Sequence, residues 1–155
     1  MLRKIQARTG YLVARRLMAW RAAVEHAKLW RWMEGQFARM AALGDRDAQS
    51  FYGHMLYFRG RGFGAKQEGV RLLRQAAQAG DAKAAYQMGV ISLGEYASHG
   101  PDGVEAARWW SQAVEGGHPL AAIRLEQLYR AGGHGLPADP TLADRYKLAA
   151  QKMGA

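Results

Sequence analysis

The stretch that decides the fold is Ala76-Ala77-Gln78-Ala79-Gly80-Asp81, a run of small residues that ends in a glycine and an aspartate. Equivalent glycines stand at Gly44, Gly117 and Gly154, so that the units between them are 36, 37 and 37 residues long. A regular spacing in this range is typical of stacked helical repeats. The spacing therefore predicts an array of helix pairs.

Side-chain size repeats in register with these glycines. Small residues recur four and eleven positions before a glycine and four positions after one; these are Gly69, Ala106, Ala143, Ala76, Ala113, Ala150, Ala48, Ala84 and Ala121. Large residues recur eight positions before and eight positions after; these are Leu72, Trp109, Tyr146, Tyr52, Met88 and Leu125. Small residues let two helices approach and large ones fill the space between pairs, so the units are predicted to stack alike.

Helix-capping residues agree with the same period. Asp45 and Asp81 each follow a boundary glycine, as an N-cap carboxylate follows a left-handed turn. Asp102 and Asp139 are further N-cap candidates, and His118 precedes a proline at a first helical position. These signals predict six helices, at 45–59, 66–79, 82–96, 103–115, 119–131 and 140–153.

The motifs inside each unit resemble those of the Sel1-like repeat family, a relative of the tetratricopeptide repeat. They are Met88-Gly89, Gly60-Arg61-Gly62-Phe63-Gly64, Ala106 through Trp109-Trp110, and Ala76-Ala77-Gln78-Ala79-Gly80. The resemblance covers residues 44–155 and implies an all-α fold, an α-solenoid of about three repeats that recruits other proteins and performs no catalysis. The repeats would be 44–79, 80–116 and 117–154.

Two positions depart from the family pattern. The second unit has Gly100-Pro101-Asp102-Gly103 in place of a Gly-x-Gly loop, and the third has Glu126 where its neighbours have Gly53 and Gly89. We therefore expect the third unit to serve as the terminal cap of the array.

Residues 1–43 are strongly basic. They contain nine Lys or Arg against two acids, a net charge of +7, whereas residues 44–155 have 13 against 11, a net charge of +2. An apolar stripe, Val13, Leu17, Trp20, Val24 and Ala27, continues with a change of phase into Trp30, Met33, Phe37 and Met40. This predicts one or two amphipathic helices that form an N-terminal cap or a degenerate repeat, with Leu17, Trp20, Trp30 and Phe37 buried on the first repeat.

Catalytic and metal-binding patterns are weak. The chain has no cysteine, which excludes thiol catalysis and disulfides and suits a reducing, cytoplasmic location. The five histidines are scattered without metal-ligand spacing, and Gly60-x-Gly62-x-Gly64 lacks the Gly-Lys-Ser/Thr of a phosphate loop. No apolar run is long enough to span a membrane, and arginines interrupt any secretory signal. We expect no enzyme, cofactor, metal or small-molecule substrate.

Two functional hypotheses follow. The first is a protein-interaction adaptor or regulator whose partner protein lies in a concave groove lined by the first helix of each pair. Its predicted contact residues are Ser50, His54, Tyr57, Lys83, Tyr86, Val90, Gln127 and Arg130. The alternative is a basic protein whose N-terminal helix binds nucleic acid or an anionic membrane through Arg15, Arg16 and Arg21, while the repeats recruit cargo.

Overall fold

The computed structural model describes residues 2–94 and 100–155, and over those residues the protein is all-α with no β-strand. Its helices are α1 (Leu2–Leu17), α2 (Arg21–Glu25), α3 (Ala27–Ala42), α4 (Arg46–Arg59), α5 (Phe63–Gln78), α6 (Ala82–Ser92), α7 (Gly103–Glu115), α8 (Pro119–Ala131) and α9 (Pro140–Lys152). Consecutive helices pack as pairs, α6 on α7 and α8 on α9, and α1 packs on α3. The predicted all-α class is confirmed.

The predicted helix ends are confirmed by their hydrogen bonds. The Asp45 and Asp81 carboxylates accept from the amides three residues ahead at 2.9 and 2.7 Å, and Asp102 and Asp139 do the same at 2.8 and 2.9 Å. The boundary glycines 44, 80, 117 and 154 have φ of 80°, 89°, 81° and 82°. This left-handed conformation disfavours a side chain, which explains why glycine recurs there.

Helix bounds differ from the prediction at two places. Helix α5 begins at Phe63 rather than at residue 66, because Gly62 takes the left-handed turn (φ 82°) and the helix starts directly after it. Helix α6 ends at Ser92, and the last two residues of its predicted span lie outside the described residues.

The chain forms two compact units, residues 1–72 and 73–155, each with its own core. The boundary falls inside α5, within the predicted first repeat, and the repeat limits stay a prediction. The predicted small positions are buried in both units, and so are Leu72, Met88, Trp109 and Leu125, whereas Tyr52 and Tyr146 are half-buried.

The first unit has a core built across α1, α3 and α4. Phe37 lies at its centre, in edge-on contact with Tyr11 (ring centroids 5.9 Å apart) and with Phe51 (5.0 Å). The helices α4 and α5 approach closely, since a Cβ added at Gly69 would lie 2.7 Å from the backbone nitrogen of Tyr57. Helices α1 and α3 therefore pack with α4 in one core.

The predicted apolar stripe of that segment is wrong in part. Helix α1 ends at Leu17, and its buried residues are Ala7, Tyr11 and Ala14, whereas Val13 is exposed and Trp20 is 68% exposed. Phe37 is fully buried as predicted, and Leu17 and Trp30 are partly buried against the core. Apolar residues spaced at helical intervals across two helix ends do not all lie on one face, because the helical periodicity is interrupted at each break.

In the second unit, large residues insert into gaps left by small ones. The Trp110 indole lies directly on Gly89, and its Nε1 donates to the Tyr86 carbonyl at 3.0 Å. The Gln112 side-chain amide donates to the Ala77 carbonyl. The Tyr146 ring stacks on Tyr129 with centroids 5.8 Å apart. Helix pairs in this unit are thus locked by side chain-to-backbone hydrogen bonds as well as by apolar contact.

Candidate protein-binding surfaces

The first helix of each predicted repeat, α4, α6 and α8, keeps an equivalent face exposed. His54, Val90 and Gln127 occupy equivalent positions and are all exposed, six residues beyond the fully buried Ala48, Ala84 and Ala121. Among the other predicted contact residues, Lys83 and Arg130 are exposed, whereas Ser50, Tyr57 and Tyr86 are half-buried.

An aromatic stack connects α6 with the residue that precedes α8. The Tyr86 ring lies parallel to the His118 imidazole, with centroids 4.5 Å apart and planes 12° apart. Because Trp110 holds the Tyr86 backbone through its indole hydrogen bond, this ring sits on a rigid base. Burial and the nearby Lys83 ammonium lower the pKa of His118, so its imidazole is more readily kept neutral. Within the described residues, His118 Nδ1 is the buried side-chain atom without a hydrogen-bond partner.

Arg130 has a structural role that the sequence did not reveal. Its guanidinium donates to Glu126 at 2.7 Å and to Asp144 on α9 at 2.9 Å. Glu126 occupies the position that is glycine in the other repeats, and here it orients the arginine that bridges α8 and α9. Arg130 is exposed, and its two ion pairs orient it between these helices. Its contact with a partner stays a prediction. The neighbouring Gln127 accepts from Arg124 at 3.5 Å.

The first unit contains an apolar pocket beside α4. Its volume is about 230 Å³, and it is lined by Met18, Phe51, His54, Met55, Phe58 and Arg59. The exposed Phe58 ring contacts both His54 (4.5 Å) and Tyr57 (4.9 Å). Burial, with a smaller contribution from Arg59, lowers the pKa of His54. The sequence prediction missed Phe58, although the aromatic pair Tyr57-Phe58 was visible.

The three arginines of the alternative hypothesis are in different environments. The Arg15 guanidinium lies over the Phe51 ring at 5.6 Å and donates to the Tyr11 hydroxyl at 3.3 Å. Arg21 pairs with Glu25 at 2.8 Å on the exposed helix α2, and Arg16 is exposed on α1. Arg15 is therefore partly engaged in the first unit, and Arg16 is the arginine most available to a polyanion.

Across residues 2–94 and 100–155, no group of three or more His, Asp or Glu side chains could hold a metal ion. No helix in the described part of the chain is long and apolar enough to cross a membrane.

Comparison with solved structures decides the fold family. The chain is similar to a Sel1 repeat protein from Oxalobacter formigenes, with 26% sequence identity and a TM-score of 0.66 over 76% of this chain and 88% of that chain. The chain has the Sel1-like repeat fold. A second structure with this fold is c5321, a protective antigen of uropathogenic Escherichia coli, with 22% identity and a TM-score of 0.69.

The two similarities differ in extent. The second match covers 79% of this chain and 26% of the antigen, so this chain spans about a quarter of that protein. No protein-family model matches the sequence, and comparison with curated proteins finds no match. The Sel1-like repeat fold is in general a non-catalytic scaffold that binds other proteins.

Proposed function

We propose that this chain is a non-enzymatic adaptor or regulator that binds a partner protein on the exposed face of its first helices. The observation that carries the proposal is the Tyr86–His118 stack, which connects α6 with the N-terminal end of α8. Lys83 and Val90 on α6 and Gln127 on α8 are exposed beside it. Tyrosine supplies a large, rigid contact area and is enriched where binding energy concentrates.

The chemistry of this surface favours a particular kind of partner segment. Tyr86 and Val90 present aromatic and apolar surface, Leu120 on α8 is an exposed apolar neighbour of the cap residue His118, and Lys83 adds positive charge. Arg130 is neutralised by its two acidic partners. A segment with one apolar anchor and one nearby carboxylate satisfies both properties.

The pocket beside α4 is a second contact point for a partner. Its lining by Phe51, Met55 and Phe58 suits a single buried apolar side chain. His54 remains neutral more readily than a free histidine, because its pKa is lowered. The apolar part of the pocket therefore favours an aliphatic or aromatic anchor.

Site-specific photocrosslinking tests this assignment. A photoreactive residue at Val90 should capture the partner, whereas the same residue at Lys147, exposed on the second helix α9, should not. The affinity of the captured protein for purified variants of this chain is then measured. Lys83→Glu with Val90→Ser should weaken its affinity about tenfold or more, which corresponds to about 1.4 kcal/mol. Lys147→Glu is the matched control.

Two results would oppose this assignment. Equal crosslinking at Val90 and Lys147 would mean that the first-helix face is not selective, and an unchanged affinity of the Lys83/Val90 variant would place binding elsewhere. Tyr57→Ala with Tyr86→Ala remains a further test of the same surface. Because Tyr86 stacks on His118, the thermal stability of this double variant must be measured alongside its affinity for the partner.

A further inference from the structure

Helix α1 is apolar on two opposite faces. Its inner face packs Ala7, Tyr11 and Ala14 into the core of the first unit. Its outer face also carries aliphatic side chains, Ile5 at 61% and Leu12 at 57% exposure. A helix that merely capped the array would present a polar outer face. The aliphatic residues on the solvent side therefore call for a second explanation.

Basic residues lie within and beside this outer apolar surface. Helix α1 contains five Lys or Arg and no acid. At 100° per residue, Ile5, Leu12 and Arg16 lie within about 40° of one another on the solvent face, and Arg8 lies along one edge of it. An open surface lined by Leu12, Val13, Arg15 and Arg16 overlaps this face at Leu12 and Arg16. Aliphatic and cationic groups thus share one side of a single helix.

We propose that the outer face of α1 docks on an anionic lipid surface, with α1 lying in the plane of the interface. Helices that bind in this way combine aliphatic residues that enter the acyl boundary with Lys and Arg that contact anionic headgroups. The strongly exposed Trp20, three residues beyond the end of α1, is a side chain suited to the same interface.

Other occupants satisfy only part of this chemistry. A nucleic acid would neutralise Arg8 and Arg16 but would leave Ile5 and Leu12 in water. A second copy of the chain offers the exposed Leu148 on α9, but Arg145 and Lys147 next to it would repel the arginines of α1. An anionic lipid interface satisfies both the charge and the apolar surface.

The inner contacts let α1 dock without unfolding. Tyr11 meets Phe37 with centroids 5.9 Å apart, and Gly10 lies directly against the Gln36 side chain of α3. The outer face is therefore held in one orientation relative to the core of the first unit. A rigid, preformed face does not pay the ordering entropy of a disordered amphipathic segment.

Vesicle co-sedimentation of the full chain tests the proposal. The protein should sediment with phosphatidylcholine vesicles that contain one third phosphatidylserine, and remain in the supernatant with phosphatidylcholine alone. Leu12→Ser should weaken binding about tenfold because it removes buried aliphatic surface. Arg8→Gln and Arg16→Gln should each weaken it about fivefold.

Matched controls separate this face from the rest of the molecule. Leu148→Ser removes a leucine of the same 57% exposure from α9, and Arg145→Gln removes an exposed charge from the same helix. Both should bind vesicles as the parent protein does. Circular dichroism should show all these surface variants equally helical.

Three outcomes would overturn the proposal. The first is no binding to the anionic vesicles. The second is binding that Leu12→Ser leaves unchanged, because that would be a purely electrostatic attraction of the basic chain. The third is tight binding of duplex DNA or RNA with no vesicle binding, which would assign the face to nucleic acid. None of these results bears on the partner surface of α6 and α8.

Discussion

The leading helix pair α1–α3 and the regular pair α6–α7 both pack closely, but their second helices carry residues of different size at equivalent positions. In α7 the positions eleven and four residues before the boundary glycine are Ala106 and Ala113, and in α3 they are Met33 and Met40. All four are buried. Where α3 carries these larger side chains, its partner α1 carries small residues along the packed face, namely Ala7, Gly10 and Ala14.

The difference shows that complementarity across the helix pair matters more than the residue at any one position. The period-37 pattern is recognisable in α7 because its small residues recur in other units, whereas α3 exchanges them for methionine. The burial pattern is retained in both cases. A helix pair can therefore keep close packing without the small residues of the period-37 pattern.

Deletion of residues 1–43 should have the largest effect on stability. This removes Met33, Phe37 and Met40 from the core of the first unit and exposes Phe51 and Met55 to water. The truncated chain should aggregate or melt at a markedly lower temperature, as measured by size-exclusion chromatography and circular dichroism.

Charge reversal provides the control for this deletion. Arg16→Glu and Arg21→Glu change exposed side chains and should alter the free energy of unfolding by no more than about 0.5 kcal/mol. Arg15 is omitted because it contacts Phe51 and Tyr11. A truncated chain that stays soluble and fully helical would show that residues 1–43 are a detachable arm.

A second prediction compares one glycine in each helix pair. Gly89→Ala would place a Cβ against the Trp110 indole, which is buried and hydrogen-bonded to Tyr86, so the unfolding free energy should fall by about 1 to 3 kcal/mol. Gly10→Ala would meet the end of the flexible Gln36 side chain, which can rotate away. Urea denaturation should therefore find Gly10→Ala close to neutral. Equal losses in both variants would contradict the packing difference.

A third prediction concerns the solvent side of α3. Nine residues before the boundary glycine, the other second helices have Arg71, Arg108 and Arg145, whereas α3 has Gly35. A Cβ at Gly35 would meet nothing within 4 Å, so Gly35→Ala should stabilise the protein by about 0.5 to 1 kcal/mol. A destabilised variant in thermal or urea unfolding would mean that this face is covered.

The smallest expected effect is on the pH dependence of stability. The folded state lowers the pKa of His54 in the first unit and of His118 in the second, so the unfolded chain takes up protons first as pH falls. Stability should therefore decrease from about pH 6.5 downward and level off below the folded pKa values.

Variants separate the contributions of the two units to this pH dependence. His118→Gln should reduce the slope of unfolding free energy against pH, and His54→Gln should remove the remainder. Lys83→Gln should raise the pKa of His118 in an NMR titration, since the ammonium charge is one cause of its lowering. An unchanged slope in both histidine variants would contradict the prediction.

The sequence by itself determined the helices between residues 44 and 155. Asp45, Asp81, Asp102 and Asp139 cap helices that the capping pattern had placed within a few residues, because a cap depends on the three or four residues beside it. The boundary glycines were recognisable for the same reason, since a left-handed turn is a property of one residue. The stacked-helix class followed from their period, and the Sel1-like family from the resemblance of the motifs between them.

Only the tertiary structure decided which side chains meet. The packed face of α1, the exposure of Trp20, the Tyr86–His118 stack and the Arg130 bridge between α8 and α9 each depend on the rotation of one helix against another. That rotation is set by residues distant in sequence, so local periodicity does not contain it. Of the expected partner-facing residues, Lys83, Val90 and Gln127 lie exposed on α6 and α8, while Arg130 is held in ion pairs.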